Sequence, residues 1–447
     1  MSDVDLLIRN AAAVVTIDTG DKGDGGVHGD PAAHESGTDA TDPFKGDDAA
    51  DSVDPAEAVD PSGGVRTVEN GAVAVRDGEI IAVGETPSIE KRFDPGAAET
   101  VIDATGRAVI PGFVDPHTHA LFAGDRSDEF AAKLRGATYQ DILAEGGGIH
   151  RTVEAVRSAS DETLRENLRA QLDVMLAHGT TTAEVKTGYG LDVETERRML
   201  AAIEAVDETH PVDLVPTFLG AHAVPREMDR EAYVDAVIET QLPAVAEQGV
   251  AEFVDVFCDE GAFTVAEARR ILEAGMDHGL APKIHAEEFA RLGGAQLAAD
   301  LGATSADHLL EATREDAEAL AGAGVTAVLL PGTAFALDTD YAEPSMFQDA
   351  GAPVALATDL NPNCYAQSMQ FAVALACAGM RMTPEAALVA ATGNAAGAVE
   401  RHDGRGTARP GTPADLLVLD APSHVYVPYN VGVNVVETVI KDGRIVH

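Results

Sequence analysis

The sequence predicts an α/β protein: a (β/α)8 TIM barrel joined to a small β-sandwich domain built from both chain ends. Three observations carry this. Eight short apolar runs recur through the middle of the chain, most of them separated by segments of helical spacing. Strand-like segments with a matching turn stand at both ends, around Asp77-Gly78 and Asp442-Gly443. A doubly wound open sheet is the alternative, but no GxGxxG or P-loop sequence supports it. With 447 residues there is room for one large domain and a smaller one.

Taken in order, VDLLIRNAAAVVTID opens the chain as a strand and breaks into residues 19–64. That segment holds 12 acids and 2 lysines among Gly, Pro and Ala, so it cannot bury enough apolar surface to order itself and is expected to be a mobile insertion. GAVAVRDGEIIAVGE then resumes as two short strands. The barrel strands are expected at 113–119, 181–190, 213–222, 253–259, 282–288, 304–310, 326–332 and 353–359. Between them, Leu164, Leu168, Leu172 and Met175 repeat at helical spacing, with Ser160 to cap the start and Gly179 to stop it. Thr264 and Glu267 form a capping-box pattern, and Pro384 follows a threonine cap. The stretch 333–352 shows no clean helix. DLLVLD and VNVVETVIKDGRIVH close the chain. The expected division is 1–110 and 401–447 for the small β-domain and 111–400 for the barrel.

Composition excludes several classes. A net charge of −44 argues against nucleic acid, which needs a basic stripe. FAVALACAGM, the longest apolar candidate, is half the ~20 residues of a membrane span, and the acidic N-terminus does not resemble a signal peptide. Cys258, Cys364 and Cys377 form no CxxC and are odd in number, so a disulfide framework is not expected and a reducing, cytoplasmic compartment fits. Lysine supplies only 7 of the 31 basic residues. The acids are spread along the whole chain, which favours a halophile's surface over a partner-binding acidic tail; at molar salt the Debye length falls to ~3 Å and self-repulsion fades.

Barrel chemistry gathers at the C-terminal ends of the strands. Those ends carry His117 and His119, His222, His285 with Glu287 and Glu288, His308, and Asp359. Side chains two apart on a strand point to one side, so His117 and His119 both face the barrel mouth. With His285 and Asp359 they offer three nitrogens and one oxygen, a set suited to Zn²⁺ or Fe²⁺ with room for water. Any one of these histidines alone reads as an ordinary buried polar group; the set together does not. Glu288, His308 and Asp359 are then the candidates for proton transfer, with their division of labour left open, and Glu287 reads as a solvated strand-end acid. Cys258 is either a soft ligand or, more simply, a buried apolar thiol.

This pattern resembles the amidohydrolase superfamily. Many members bridge two metals with a carboxylated lysine on strand 4, but the fourth run, FVDVFCD, has no lysine and Lys186 falls on the second, so one divalent metal is expected, zinc or iron (Zn²⁺ or Fe²⁺, or Fe³⁺). The series PGFVDPHTHALFAGDR, LRGATYQDILAEGGGI, EVKTGYGL, TFLGAHAVP, KIHAEEF and TDLNPN further resembles the imidazolonepropionase family, in order and spacing over nearly the whole chain outside 19–64. The resemblance implies hydrolytic ring opening of 4-imidazolone-5-propanoate to N-formimino-L-glutamate in histidine degradation. It implies His117, His119, His285 and Asp359 as metal ligands. It places Arg126 on the substrate's propanoate, where a guanidinium fork fits a carboxylate, and Tyr139, Tyr189, His222 and Glu288 on the substrate. It also places Asn361, Asn363 and Cys364, after strand 8, on the ligand, the first two meeting the product; many relatives carry glycine where Asn363 stands and serine or threonine where Cys364 stands. A homodimer would be usual for the family. The rivals are a mononuclear deaminase of a nucleobase such as cytosine or guanine, which would release ammonia and not need Arg126, and an inactive binding protein on the same barrel, which would not need both Glu288 and His308.

Overall fold

A computed structural model describes residues 4–18, 64–137 and 146–447. The expected insertion over 19–64 lies, but for Gly64, outside the described residues, as does Tyr139.

Alternation along the first strand shows how the two parts of the molecule meet. In β1 (Leu6–Ile17), Leu6, Ile8 and Val14 face one apolar cluster, while Ala13, Val15 and Ile17 join the core of the barrel. β1 pairs antiparallel with β2 (Val65–Arg76), which pairs with β3 (Glu79–Glu85) around Asp77-Gly78. β4 (Thr100–Asp103) and β5 (Ala108–Pro111) run parallel to β1. The sheet is completed from the other end of the chain, so that the order runs β16–β15–β14–β5–β1–β2–β3, using β14 (Leu416–Leu419), β15 (Val436–Lys441) and β16 (Arg444–Ile445). Both chain ends therefore build one sheet, as their matching patterns predict.

The expected eight barrel strands form: β6 (Phe113–Asp115), β7 (Thr180–Lys186), β8 (Asp213–Ala221), β9 (Phe253–Cys258), β10 (Ala281–Ala286), β11 (Ser305–His308), β12 (Thr326–Leu329) and β13 (Val354–Leu356). They pair in parallel in sequence order. The first and last tips meet beyond the strands themselves: His119 N donates to Leu360 O at 2.9 Å and Asp359 N to His117 O at 3.1 Å. Closure of the barrel thus falls on the segments that carry the candidate ligands.

The period of two sorts the strand residues. Ala183, Val185, Val254, Val256, Ile284 and Ala306 face the helices in the large outer core. Inside, Val114, Val215, Phe253, Val328 and Ala355 form an apolar floor, sealed by Ala395, Ala396 and Val399. Above the floor the inward positions turn charged: Glu184 and Lys186, Asp255, Lys283, Asp307.

The helix Asp161–Ala177 begins where Ser160 Oγ accepts the Thr163 N–H at 3.1 Å, and it buries Leu164, Leu168, Leu172 and Met175, each worth up to ~1.5–3 kcal/mol. Gly179 ends it at φ 97°, where a Cβ would come within 2.6 Å of Leu417 in the neighbouring sheet. The Thr264–Glu267 capping box and the Thr383 cap before Pro384 are both present. One expectation fails. The stretch 333–352 holds parts of two short helices, Pro331–Leu337 and Pro344–Ala350, each started by proline and stopped by a left-handed residue. Two turns apiece are too short to display a helical period. Among the described residues no helix is long and apolar enough to cross a membrane.

Candidate metal centre and active site

His117 and His119 follow β6, His285 lies on β10, and Asp359 follows β13. Their tips converge. His119 Nε2 and His285 Nε2 are 3.4 Å apart, and Asp359 Oδ1 lies 3.6 Å from His117 Nε2 and 3.7 Å from His119 Nε2. Two nitrogens bound tetrahedrally at ~2.0–2.1 Å stand ~3.3 Å apart, so the spacing is that of ligands around one cation. The donor chemistry fits as well. Burial holds His117 and His119 well below the usual imidazole range, helped by Lys186 and the neighbouring imidazoles, so their lone pairs are available. His117 Nε2 is buried without a hydrogen-bond partner among the described residues, an orphan that a cation would satisfy.

The other ring nitrogens are backed by carboxylates. His117 Nδ1 is 2.6 Å from Asp307 Oδ2, and His285 Nδ1 is 3.0 Å from Asp255 Oδ2. Such partners fix the tautomer and turn Nε2 toward the ion. They belong to the charged layer below. Lys186 Nζ lies 2.8 Å from Asp255, 2.9 Å from Glu184 and 3.5 Å from Asp307; Lys283 Nζ donates to Glu184 at 2.8 Å and to Pro116 O at 3.0 Å. Two ammoniums thus face three carboxyl groups beneath the imidazoles. Lys186 is on the second barrel strand, as counted from the sequence, and its Nζ is fully engaged.

The proton-transfer candidates sit alongside. Asp359 has φ 51°, accepts from Thr333 Oγ1, and is pushed up to about 6 by burial against that hydrogen bond. Burial, with Asp359 and Asp259 nearby, holds the Glu288 carboxyl well above its usual range. His308 Nε2 lies 3.7 Å from Glu288 Oε2. His222 stacks on His119 with centroids 4.9 Å apart, and Tyr189 packs against both rings. Burial first, then the Asp359 carboxylate, raise the Tyr189 phenol, while Arg126 opposes them.

The amidohydrolase family pattern matches residues 108–446. The chain is 67% identical to an imidazolonepropionase of Halobacterium salinarum over 87% of its own length and 95% of that protein's. It is 62% identical to one of Haloarcula marismortui, over 86% and 91%. The chain belongs to the imidazolonepropionases of the amidohydrolase family. Among solved structures, an adenosine deaminase from Xanthomonas campestris with bound zinc superposes with a TM-score of 0.70 at 18% identity, covering 99% of this chain and 93% of that one; this likeness speaks for the fold.

Around this imidazolonepropionase centre, other expected residues take less simple positions. Arg126 Nε and Nη2 both lie 2.8 Å from Glu129 Oε2, so the guanidinium already holds a carboxylate of the protein. Asn361 serves its own loop: its oxygen accepts from Asn363 N at 2.8 Å and Cys364 N at 3.0 Å, and its Nδ2 donates to Asp359 O at 2.8 Å. Asn363 Oδ1 accepts from Lys133, and Cys364 is buried. Glu287 is not solvated. Its buried carboxylate accepts from the N–H groups of Leu292, Gly293 and Ala295, seating the next helix. Cys258 faces the outer core, its thiol pushed up to about 12 by burial, and takes no part in the centre.

Four positioning carboxylates were not singled out from the sequence. Asp307 and Asp255 back the imidazoles. Asp259 gathers the N–H groups of Glu288, Phe289 and Ala290 at 2.6, 3.0 and 3.1 Å. Glu196 also belongs here, collecting Gly188, Gly190 and Leu191 N–H groups and so fastening the loop of Tyr189. The glycines of that loop serve close approach more than mobility: a Cβ at Gly188 would meet Leu219 O at 2.7 Å.

Proposed function

We propose that this chain opens the ring of 4-imidazolone-5-propanoate with water to give N-formimino-L-glutamate, a step of histidine degradation. The observation that carries it is the convergence of three imidazoles and Asp359 around one cation's space, with Glu288 and His308 against it. His117, His119, His285 and Asp359 would hold one metal ion, zinc or iron, both of which accept this ligand set. Such an ion polarises a carbonyl and brings the pKa of its water near ~7.

The chain's own residues then supply the rest. Asp359 orients the attacking water and takes its proton at the carboxylate oxygen nearest the imidazoles. His308 faces the oxygen on which charge develops. The water oxygen adds to the ring carbonyl carbon, the ring C–N bond breaks, and the departing nitrogen takes a proton. Glu288, whose carboxyl burial pushes well above its usual range, stands ready to deliver that proton from its carboxyl oxygen. Tyr189 and His222 wall the ring, and Arg126 faces the propanoate. The sequence motif around Tyr139 and the loop after β13 complete the resemblance on which substrate identity rests.

The setting is proposed as the cytoplasm of a halophile, supported by −44 net charge and three unpaired cysteines. A homodimer is proposed too, supported by Tyr429, Val431 and Val433 lying exposed on one segment of a strongly acidic surface; light scattering in molar salt decides it, and a monomer sinks it. For the activity, metal-loaded protein in high salt is given 4-imidazolone-5-propanoate, and formiminoglutamate and ammonia are assayed separately. Formiminoglutamate without ammonia, lost in Asp359→Ala, is the expected result. Ammonia from a nucleobase panel with no turnover of the imidazolone would hand the site to the deaminase reading.

A further inference from the structure

Resting on that reading of the site, the geometry points to Lys133 as a second carboxylate-binding residue, which supplies with Arg126 the positive charge that fixes the propanoate arm. Arg126 alone is poorly placed to do so. Its Nε hydrogen and one Nη2 hydrogen are spent on Glu129 Oε2, and Glu129 is buried, its other oxygen accepting from Gly148 N at 3.1 Å and lying 3.6 Å from Arg151, which is itself paired with Asp128 at 2.7 Å. The cluster of Arg126, Glu129, Arg151 and Asp128 is neutral as a unit. A substrate carboxylate entering beside it meets balanced charge, and gains little without a further cation.

Lys133 is that cation. It lies seven residues after Arg126 and four after Glu129, two turns along the helix Ser127–Leu134, so the three share one face. Its Nζ turns inward and donates to Asn363 Oδ1 at 2.5 Å, in the loop that also carries Asp359 and Asn361. Asn363 is neutral, and no described carboxylate lies within ion-pairing distance of this ammonium.

That sets Lys133 apart. Among the described residues the other inward lysines, Lys186, Lys283 and Lys441, are each paired with carboxylates, and Lys91 is exposed. In a chain of 75 acids and 31 basic residues, this half-buried ammonium has no described carboxylate within ion-pairing distance, Glu129 on the same helix face acting on it only from further off. Burial and the nearby Arg126 charge both work against its protonated form, with Glu129 in partial compensation. An incoming carboxylate relieves both. A lysine in the last turn of a helix also completes the helix dipole, but an Nζ in solvent would do that equally well. It would not need to reach Asn363.

The test compares Lys133→Met, Lys133→Gln and Lys133→Arg with the wild-type holoenzyme in molar salt. Two readouts are taken: steady-state kinetics on 4-imidazolone-5-propanoate and on its propanamide analogue, and calorimetric binding of imidazole-4-propanoate, which cannot react. For both neutral variants, KM for the carboxylate substrate and Kd of the imidazole propanoate should rise by ~10–100-fold, the scale of one lost charged hydrogen bond, while kcat moves much less. The propanamide should not distinguish them from the wild type, and Lys133→Arg should recover most of the affinity. Equal losses on carboxylate and carboxamide, or a fall in kcat with KM unchanged, would make Lys133 a structural residue and overturn the inference. A wild type that neither turns over the imidazolone nor binds the propanoate overturns the underlying reading and this inference with it.

Discussion

Asp259 makes the sharpest test of how the candidate acid is held. Its carboxylate receives four backbone N–H groups: Glu260 and Ala290 on Oδ1 at 2.6 and 3.1 Å, Glu288 and Phe289 on Oδ2 at 2.6 and 3.0 Å. The substitution Asp259→Asn keeps the shape but replaces one oxygen with an NH₂ group. Whichever way the amide turns, a pair of N–H donors then faces another donor. At ~1–3 kcal/mol for each stranded buried group, the cost is ~2–6 kcal/mol, concentrated in the loop that carries Glu288. The loop relaxes before the barrel unfolds, because its other supports are local. A misplacement of ~1 Å at a catalytic group costs ~100-fold in rate. We therefore expect kcat on 4-imidazolone-5-propanoate to fall by ~100-fold in Asp259→Asn, with far-UV circular dichroism unchanged in molar salt. A variant with wild-type kcat per folded molecule, whatever its melting temperature, would show that Asp259 does not position Glu288.

Other perturbations test the layers beneath and around the site. Lys186→Met strips the ammonium from among Glu184, Asp255 and Asp307; breaking such a buried cluster costs ~3–5 kcal/mol, and an unchanged urea midpoint in molar salt would contradict it. At Asp316, burial opposes ionisation, but Arg291, Gln296 and Thr313 outweigh it and hold the carboxyl below its usual range. Its stabilisation is accordingly present above the unfolded value of ~3.9 and lost as pH falls toward the folded one, so the stability gap between wild type and Asp316→Asn should close below pH ~4; a gap constant through that range refutes the linkage. With a net charge of −44 the protein should lose structure when salt is removed, and circular dichroism identical at molar and millimolar salt would overturn that expectation.

What the sequence made legible follows from the range over which each signal acts. The strands and longer helices announce themselves within a dozen residues, through a period of two or 3.6 and through caps such as Ser160 and Thr264. The candidate ligands do the same, because His117 and His119 sit together at one strand end and His285 and Asp359 close two others. Helices of two turns, such as Pro331–Leu337, fall below that resolution. The charged layer was present as a local oddity: Glu184 and Lys186, Lys283 and His285, Ser305 and Asp307 each stand two apart inside apolar runs. Its meaning was not local. Lys186 finds Asp255 69 residues away and His117 finds Asp307 190 away, across strands that only the closed barrel brings together.

The same limit explains the acids. Glu287 and Glu288 are neighbours of one kind in sequence, yet one spends its carboxylate on three backbone N–H groups and the other faces His308. The difference is set at Glu287, whose φ of 56° turns the chain just after β10 and sends the two side chains to opposite sides. Chemistry and support thus come from adjacent residues of one strand end, and the backbone, not the residue type, assigns them. Left-handed backbone recurs at Asp359, whose φ of 51° comes just beyond β13, and at His308, the last residue of β11, with φ 80°. Three strand ends reach the centre through strained backbone, at ~1–3 kcal/mol each, and the apolar floor and outer core below them make that strain tolerable. A barrel less firmly packed would relax those turns first and lose the site while keeping the fold.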